Sequence, residues 1–303
     1  MNSRWWSVID SKLNASQLCG ILNLNKPSGI TSREAVNQVQ RLVRPAKIGH
    51  TGTLDPLASG VLVLCLGTAT RLVEYVQRMP KTYYATFLLG RHSDTEDIEG
   101  HVTVLPDPPI PTLQQAEAVL ANFQGTILQR PPVYSALKIR GRRACDLARQ
   151  GKPVELAARS ITIEELKIHN YNYPQLTLDI KCGSGTYVRS LGRDIGSALG
   201  TAAVMSSLER TAVGCFDITQ AEILEQLKHS DIVNKLLPAT SAVNLLEKIT
   251  LTETQQERIA RGMSIEQPPG ISDTEVAALN TNGQLVAILS KRGDGLGPLK
   301  NFL

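Results

Sequence analysis

This 303-residue chain offers little to build a disulfide or zinc framework from. Its five cysteines (Cys19, Cys65, Cys145, Cys182 and Cys215) are scattered, odd in number and nowhere spaced C-x-x-C. That pattern argues against a zinc ribbon or a disulfide scaffold and for a reducing, cytoplasmic compartment. Long apolar runs are missing too, since none approaches the ~18 residues that cross a bilayer, and no membrane association is expected. The stretch from Met1 to Trp6 lacks the apolar core of a secretion signal, and Asp10 argues against a transit peptide. Residues 1–18 read as an N-terminal extension, with Trp5 and Trp6 packing on the body.

Two ligand-binding patterns are approached and fail. Asp94 to Gly100 is acidic but has neither the D-x-D-x-D-G spacing nor a glutamate at the twelfth loop position, so it is a solvated turn rather than a calcium loop. In Gly183-Ser-Gly-Thr-Tyr-Val188 a valine stands where a dinucleotide fingerprint needs its third glycine. No internal repeat is present. Strong net charge is also absent: +4 permits a nucleic-acid partner without requiring one, which leaves the placement of the basic residues as the informative quantity. A composition 42% hydrophobic and 20% charged is that of a globular protein.

What the chain does have is an unusual loop. Lys47-Ile-Gly-His-Thr-Gly-Thr-Leu-Asp-Pro-Leu-Ala-Ser-Gly60 sets one carboxylate, Asp55, among glycines and a proline, directly before the apolar run Val61 to Leu66. Glycines permit positive φ or close approach to a ligand, Asp-Pro punctuates a turn, and the apolar run reads as a buried strand that holds the loop still. Taken alone, Asp55 either closes a turn or is a presented reactive group.

Around this loop the periodicity gives mixed α and β elements. Ile21 to Leu24 is a short strand. Thr31 and Glu34 form a capping box for a helix whose Ala35, Val36, Val39, Leu42 and Val43 share a face, and Arg41, Arg44 and Lys47 gather at its end. A helix is expected from Gly67 through Val76. Lys81 to Gly90 alternates as a strand with Tyr83, Ala85, Phe87 and Leu89 on one face, and by that test alone Tyr83 reads as a core or edge aromatic rather than a functional one.

Further on, Thr112 and Gln115 cap a helix with Leu113, Ala116, Leu120 and Phe123 on one side, ended by Gly125. Between 138 and 152 six basic residues (Lys138, Arg140, Arg142, Arg143, Arg149, Lys152) face one acid, Asp146. Such a patch suits phosphate contacts, which position a nucleic acid without reading its sequence. Residues 161–169 and 176–182 are strands, and a glycine turn then leads into a helix with Tyr187 and Arg189 at its first turn. Beyond about residue 240 come a short helix, Thr252 to Gly262, and two strands joined at Asn282-Gly283, a strong hairpin signal.

Six strings occur in order: Gly-His-Thr-Gly-Thr-Leu-Asp-Pro-Leu-Ala-Ser-Gly (49–60), Lys-Thr-Tyr (81–83), Asp-Thr-Glu-Asp (94–97), Arg-Pro-Pro-Val-Tyr-Ser-Ala-Leu-Lys (130–138), Gly-Thr-Tyr-Val-Arg-Ser (185–190) and Leu-Glu-Arg-Thr-Ala-Val-Gly (208–214). Together they resemble the bacterial type of the TruB family of tRNA pseudouridine synthases over about residues 19–215. Cys145 departs from the tyrosine more usual in that family and reads as a packing variation. The tail resembles a PUA-type RNA-binding module.

The resemblance implies a mixed α/β (α+β) fold, with a large mainly antiparallel sheet, flanking helices and a small C-terminal β-rich PUA-like domain. The expected division is an extension over 1–18, a catalytic domain over 19–240 and a PUA-like domain over 241–303. The implied activity is isomerisation of uridine 55 in the tRNA T-loop to pseudouridine. It needs no metal or cofactor, and the enzyme works as a monomer with the tRNA T-arm as partner and no obligate protein partner.

The residues suit that chemistry. Hydrolysis of a glycosidic bond normally takes two carboxylates, but a reaction that retains the detached base needs no water and can use one. Asp55 would serve as nucleophile or as counter-charge to the sugar, Arg189 would orient it, and Tyr83 would stack on the uracil or sit near the proton leaving C5. A base inside a folded loop must be flipped out first. The resemblance gives His50 the inserting role, and extends to Asp97, which would bond the flipped nucleotide or order its loop, to Lys26 beneath the glycine loop and to Tyr187. Lys138, Arg140, Arg142 and Arg143 complete the RNA path. A non-catalytic RNA-binding protein would not need Asp55, Tyr83 and Arg189 together. A metal-dependent hydrolase using His50, Asp55, Asp94 and Asp97 lacks ligand spacing. A synthase acting on ribosomal RNA or within a guide-RNA particle is the alternative within the enzyme class.

Overall fold

The computed structural model describes residues 18–303 apart from 136 and 140. Trp5, Trp6 and nearly all of the expected extension therefore lie outside the described residues.

Ten strands form one large sheet. In chain order they are β1 (Gly20–Lys26), β2 (Ile48–His50), β3 (Ser59–Leu66), β4 (Lys81–Leu89) and β5 (Gly125–Gln129). They continue as β6 (Arg159–Asn172), β7 (Gln175–Cys182), β8 (Ala203–Val213), β9 (Phe216–Asp217) and β10 (Glu222–Ile223). The spatial order is β10-β1-β3-β8-β4-β7-β6-β5, with β2 beside β3 and β9 beside β8. Only β1/β10 and β3/β8 pair in parallel, so the sheet is mainly antiparallel, as expected.

The apolar run after the loop is buried on both faces, which is why it shows no alternation. Leu62, Leu64 and Leu66 enter one core cluster and Val61, Val63 and Cys65 the other. Helices α1 (Ser32–Val43) and α2 (Val73–Arg78) flank this part of the sheet. The capping box of α1 forms as read, with Thr31 Oγ1 accepting from the Glu34 amide at 3.1 Å. The expected helix from Gly67 is instead a 3-10 turn over Gly67–Leu72 followed by α2. α3 (Leu113–Leu120) has its capping box and buries Ala116 and Leu120, but Leu113, at its first residue, projects outward and is exposed.

α4 (Ala144–Arg149) follows a hairpin of Lys138–Ile139 with Arg142–Arg143. α5 (Val188–Ala198) lies on the sheet against β4 and β8. Gly192 makes that approach possible, because a Cβ there would stand 2.2 Å from the Phe87 ring. Gly192→Ala should therefore destabilise by about 1–3 kcal/mol through overpacking, although alanine gains about 1 kcal/mol in helix propensity. Urea melts decide this, and an increase in midpoint would mean that Phe87 gives way.

The C-terminal strands form a separate five-stranded sheet, in the order Glu247–Thr250, Glu275–Leu279, Leu285–Arg292, Gly295–Asn301, Ile265–Glu266. Its short helix, α6 (Glu253–Ala260), is capped by Thr252. The Asn282-Gly283 turn joins the second and third of these strands, with Gly283 at φ +74°. This β-rich unit has its own apolar cluster, and Ala277 and Ile288 also pack with Tyr75 and Val243 against the large sheet. Among the described residues no helix is long and apolar enough to cross a membrane.

Candidate active site

The Asp55 loop is held from three sides. Buried Ser32, at the start of α1, donates from Oγ to the Leu54 carbonyl at 2.9 Å and accepts from the Leu54 amide at 2.8 Å. The Gly29 amide, in the Pro-Ser-Gly turn after β1, donates to the Pro56 carbonyl at 2.8 Å. Thr51 N donates to the Val63 carbonyl of β3 at 3.1 Å, and the loop closes on itself through Ala58 N to the Asp55 carbonyl. Gly60, at φ +100°, lets the chain press onto β8, because a Cβ there would lie 2.3 Å from the Arg210 carbonyl oxygen.

Asp55 is thus presented in the lining of a cleft of about 910 Å³, lined also by Tyr83, Asp97, Tyr187, Arg189 and Arg210. Its side chain keeps 33% of its exposure, whereas that of Arg189 keeps 8%. Arg189 meets the carboxylate side-on, Nε to Oδ2 at 3.0 Å and Nη2 to Oδ1 at 3.5 Å. The other edge of the guanidinium donates to the Thr95 carbonyl at 2.7 Å and the Tyr134 carbonyl at 3.0 Å, and Nη1 lies 3.4 Å from Asp97 Oδ2. A planar fork with five donors fits that set of acceptors, which an ammonium would not.

Asp97 is almost fully buried and is spent on structure. Its Oδ1 accepts from Thr95 Oγ1 at 2.5 Å and from the Glu99 amide at 3.0 Å, which orders the acidic turn under Arg189. Glu96, at φ +65°, ties the same turn to α5 through Ser190 Oγ at 2.6 Å and through Arg193. The turn expected to be solvated is therefore one wall of the site. Burial pushes the Glu99 carboxyl upward, with the Asp97 and Asp55 charges adding to it.

Tyr83 sits on the inward face of β4 with its ring buried, and burial raises its hydroxyl pKa while Arg210 opposes the rise. The phenol therefore carries its proton at neutral pH. Tyr187 stands at the N-cap position of α5, without a side-chain cap hydrogen bond, and lines the cleft; its peptide is read twice by the buried Gln129, which accepts from its amide at 2.9 Å and donates to its carbonyl at 3.1 Å. Burial raises the Tyr187 hydroxyl as well.

Three expected residues, Lys26, His50 and Arg142, lie outside the cleft lining. Lys26 is fully buried beneath the loop and donates to the carbonyls of Pro27 at 2.8 Å and Ile30 at 2.7 Å, so it braces the turn that braces Pro56. Burial pushes its pKa down to about 8, against the pull of Asp55. His50 ends β2, opposite Leu64, with Nδ1 buried and without a hydrogen-bond partner among the described residues, and burial lowers its pKa. Of the basic patch, Arg142 is exposed and donates to Gln150 Oε1 at 2.8 Å. Arg140 and the side chains of Lys138 and Arg143 lie outside the described residues.

Three residues of the site have no signal of their own in the sequence. Leu208 lines a recess of about 70 Å³ with Asp55, Tyr83 and Arg189. Gln129 carries no motif. Arg210 stands within the string 208–214, where nothing local sets it apart from its neighbours.

Comparison with known proteins decides the family. Residues 40–188 match the TruB family pseudouridylate synthase N-terminal domain, and residues 189–244 match the tRNA pseudouridylate synthase B C-terminal domain. The tRNA pseudouridine synthase B of Dehalococcoides mccartyi is 40% identical over 289 residues, covering 94% of this chain and 96% of the relative. The chain belongs to the TruB family of pseudouridylate synthases. It is accordingly an isomerase of the kind that acts on RNA. The protein of the same name from Syntrophomonas wolfei is 40% identical over 89% of this chain and 92% of its own length. Among solved structures, the crystal structure of a Cbf5-Nop10-Gar1 complex contains a chain 26% identical, with a TM-score of 0.75, covering 94% of this chain and 85% of that one. In this TruB-family chain the two matched domains meet at Arg189, so the Asp55–Arg189 pair joins them.

Proposed function

We propose that this protein isomerises uridine 55 in the T-loop of tRNA to pseudouridine, with Asp55 as the reacting carboxylate. The observation that carries the reading is the side-on Asp55–Arg189 pair beside Tyr83 in the lining of a cleft of about 910 Å³. The relatives at 40% identity are named for tRNA, which favours that substrate over a guided RNA particle.

The glycosidic C1′–N1 bond breaks while Asp55 supplies negative charge at the sugar, either as nucleophile or as counter-ion. Both roles need a carboxylate aimed at one point, and Arg189 provides the aim. The freed uracil turns against the Tyr83 ring, and C5 bonds to C1′ as any bond from Asp55 to that carbon breaks; the C5 proton is lost beside the phenol while N1, which kept the electron pair of the broken bond, takes one up. His50, its ring neutral and Nδ1 without a hydrogen-bond partner among the described residues, fills the gap left by the extracted base. Asp97, Lys26 and Tyr187 support the walls of the cleft. The enzyme works in the cytoplasm as a monomer, over a catalytic unit of 19–240 and a PUA-like RNA-binding unit of 241–303.

Mass mapping of tRNA treated with the purified protein tests this: pseudouridine is expected at position 55, and its absence there would overturn the reading. Charge reversal at Arg140, Arg142 and Arg143 should weaken tRNA binding and flatten the salt dependence, by roughly one unit of log–log slope for each phosphate no longer neutralised. Salt titrations of binding read this directly, and unchanged affinity removes the patch from the interface.

A further inference from the structure

Arg210 is a buried cation. The residue is 3% exposed, and among the described residues no carboxylate forms an ion pair with it. A charge in that setting is expensive unless its donors are spent, and the places where they are spent are specific. Nε donates to the Val61 carbonyl at 2.7 Å and Nη2 to the Gly52 carbonyl at 3.3 Å. Gly52 and Val61 flank the loop that carries Asp55, one on each side. The backbone repeats the arrangement: on β8, Arg210 is in register with Gly60 on one neighbour and with Tyr83 on the other. The ladder slips just beyond it, between Arg210 and Ala212, where a bulge re-aims the strand. Gly52 is also close, since a Cβ there would lie 3.6 Å from Arg210 Nη1.

We propose that Arg210 is a positioning residue: it clamps the two stems of the Asp55 loop together and sets that loop against the Tyr83 ring, so that carboxylate and phenol hold a fixed separation. This rests on reading Asp55 as the reacting carboxylate. Arg189 aims the carboxylate from the α5 side, whereas Arg210 fixes the backbone beneath it. Neither function replaces the other. A lysine at 210 keeps the charge but has no planar fork to span two carbonyls.

The test is Arg210→Lys in the full-length protein, read in three ways. The single-turnover rate of pseudouridine formation should fall roughly a hundredfold, the scale of an ångström's misplacement. Affinity for tRNA should stay within about threefold, the melting temperature should fall while the protein stays folded at the assay temperature, and hydrogen exchange should rise selectively in the amides of residues 51–61. A rate within about threefold of the parent, an affinity loss matching the rate loss, or unchanged loop exchange would each overturn the proposal. Arg210→Gln, which has no charge, is the second variant, and failure of both to fold would make Arg210 a folding residue and equally overturn it. An inactive parent protein would defeat the Asp55 reading itself, whereas a fully active Arg210→Lys defeats only this inference.

Discussion

Asp55→Asn is expected to abolish pseudouridine formation, by at least about 10⁴-fold in single-turnover rate, while tRNA affinity stays within about threefold. The substitution is nearly isosteric, and at 33% exposure the side chain contributes little to the core. Asparagine keeps one acceptor for Arg189 but turns an N–H toward a guanidinium edge that has only donors, so both charge and aim are lost. Asp55→Glu separates the two. It restores the charge on a stem one methylene longer, which moves the oxygens by about 1.5 Å, and a rate loss near a hundredfold is expected if a defined attack geometry is required. Rapid-quench measurement on a T-loop transcript reads both variants. Asn turnover above about one-hundredth of the parent removes Asp55 as the reacting group, and Glu turnover near the parent rate reduces it to a counter-charge.

The parts of this site legible in the sequence are those whose local chemistry is self-contained. The glycine loop announces a presented carboxylate because glycine and proline act over a few residues, and the apolar run after it fits a strand buried on both faces. Alternation alone places Tyr83 on the inward face of its strand. A glycine turn followed by helical spacing places Arg189 at the first turn of a helix.

What stays hidden is set by long-range pairing. β8 has no strand signature in the sequence. Two register shifts, at Met205/Ser207 and Arg210/Ala212, break its period of two, and Glu209 and Arg210 interrupt its apolar pattern. Yet it is the strand that touches both β3 and β4, and thereby brings Arg210 under the loop. β5 likewise hides behind the helix stop at Gly125, so Gln129 and its grip on Tyr187 are invisible. The acidic turn looks solvated because carboxylates usually are. Its partners, Arg189, Ser190 and Arg193, lie about a hundred residues away in sequence, and no local pattern signals such a pairing.

Removing the hub of that turn gives the largest expected effect on stability. Arg189→Met would leave the side chain of Asp97, at 4% exposure, buried with no cation, and would strip the carbonyls of Thr95 and Tyr134 of a donor. A buried charge left without its partner costs about 3–5 kcal/mol, a large share of a domain's marginal stability. Arg189→Lys should lie between, since one ammonium cannot reach Asp55, Asp97 and two carbonyls together. Adding Asp97→Asn to Arg189→Met then tests where the cost arises. The amide oxygen of the new asparagine can still accept from Thr95 Oγ1 and the Glu99 amide, as Asp97 Oδ1 does. The orphan charge meanwhile disappears, so the double variant should recover about 2 kcal/mol over Arg189→Met. Catalysis should not recover with it, because Asp55 remains without the guanidinium that aims it. Urea melts of the four proteins, paired with single-turnover rates, separate the two roles of one side chain. Arg189→Met within about 1 kcal/mol of the parent would show that the pair is not a buried one, and a double variant that regained activity along with stability would show that Arg189 acts on Asp55 only through the fold.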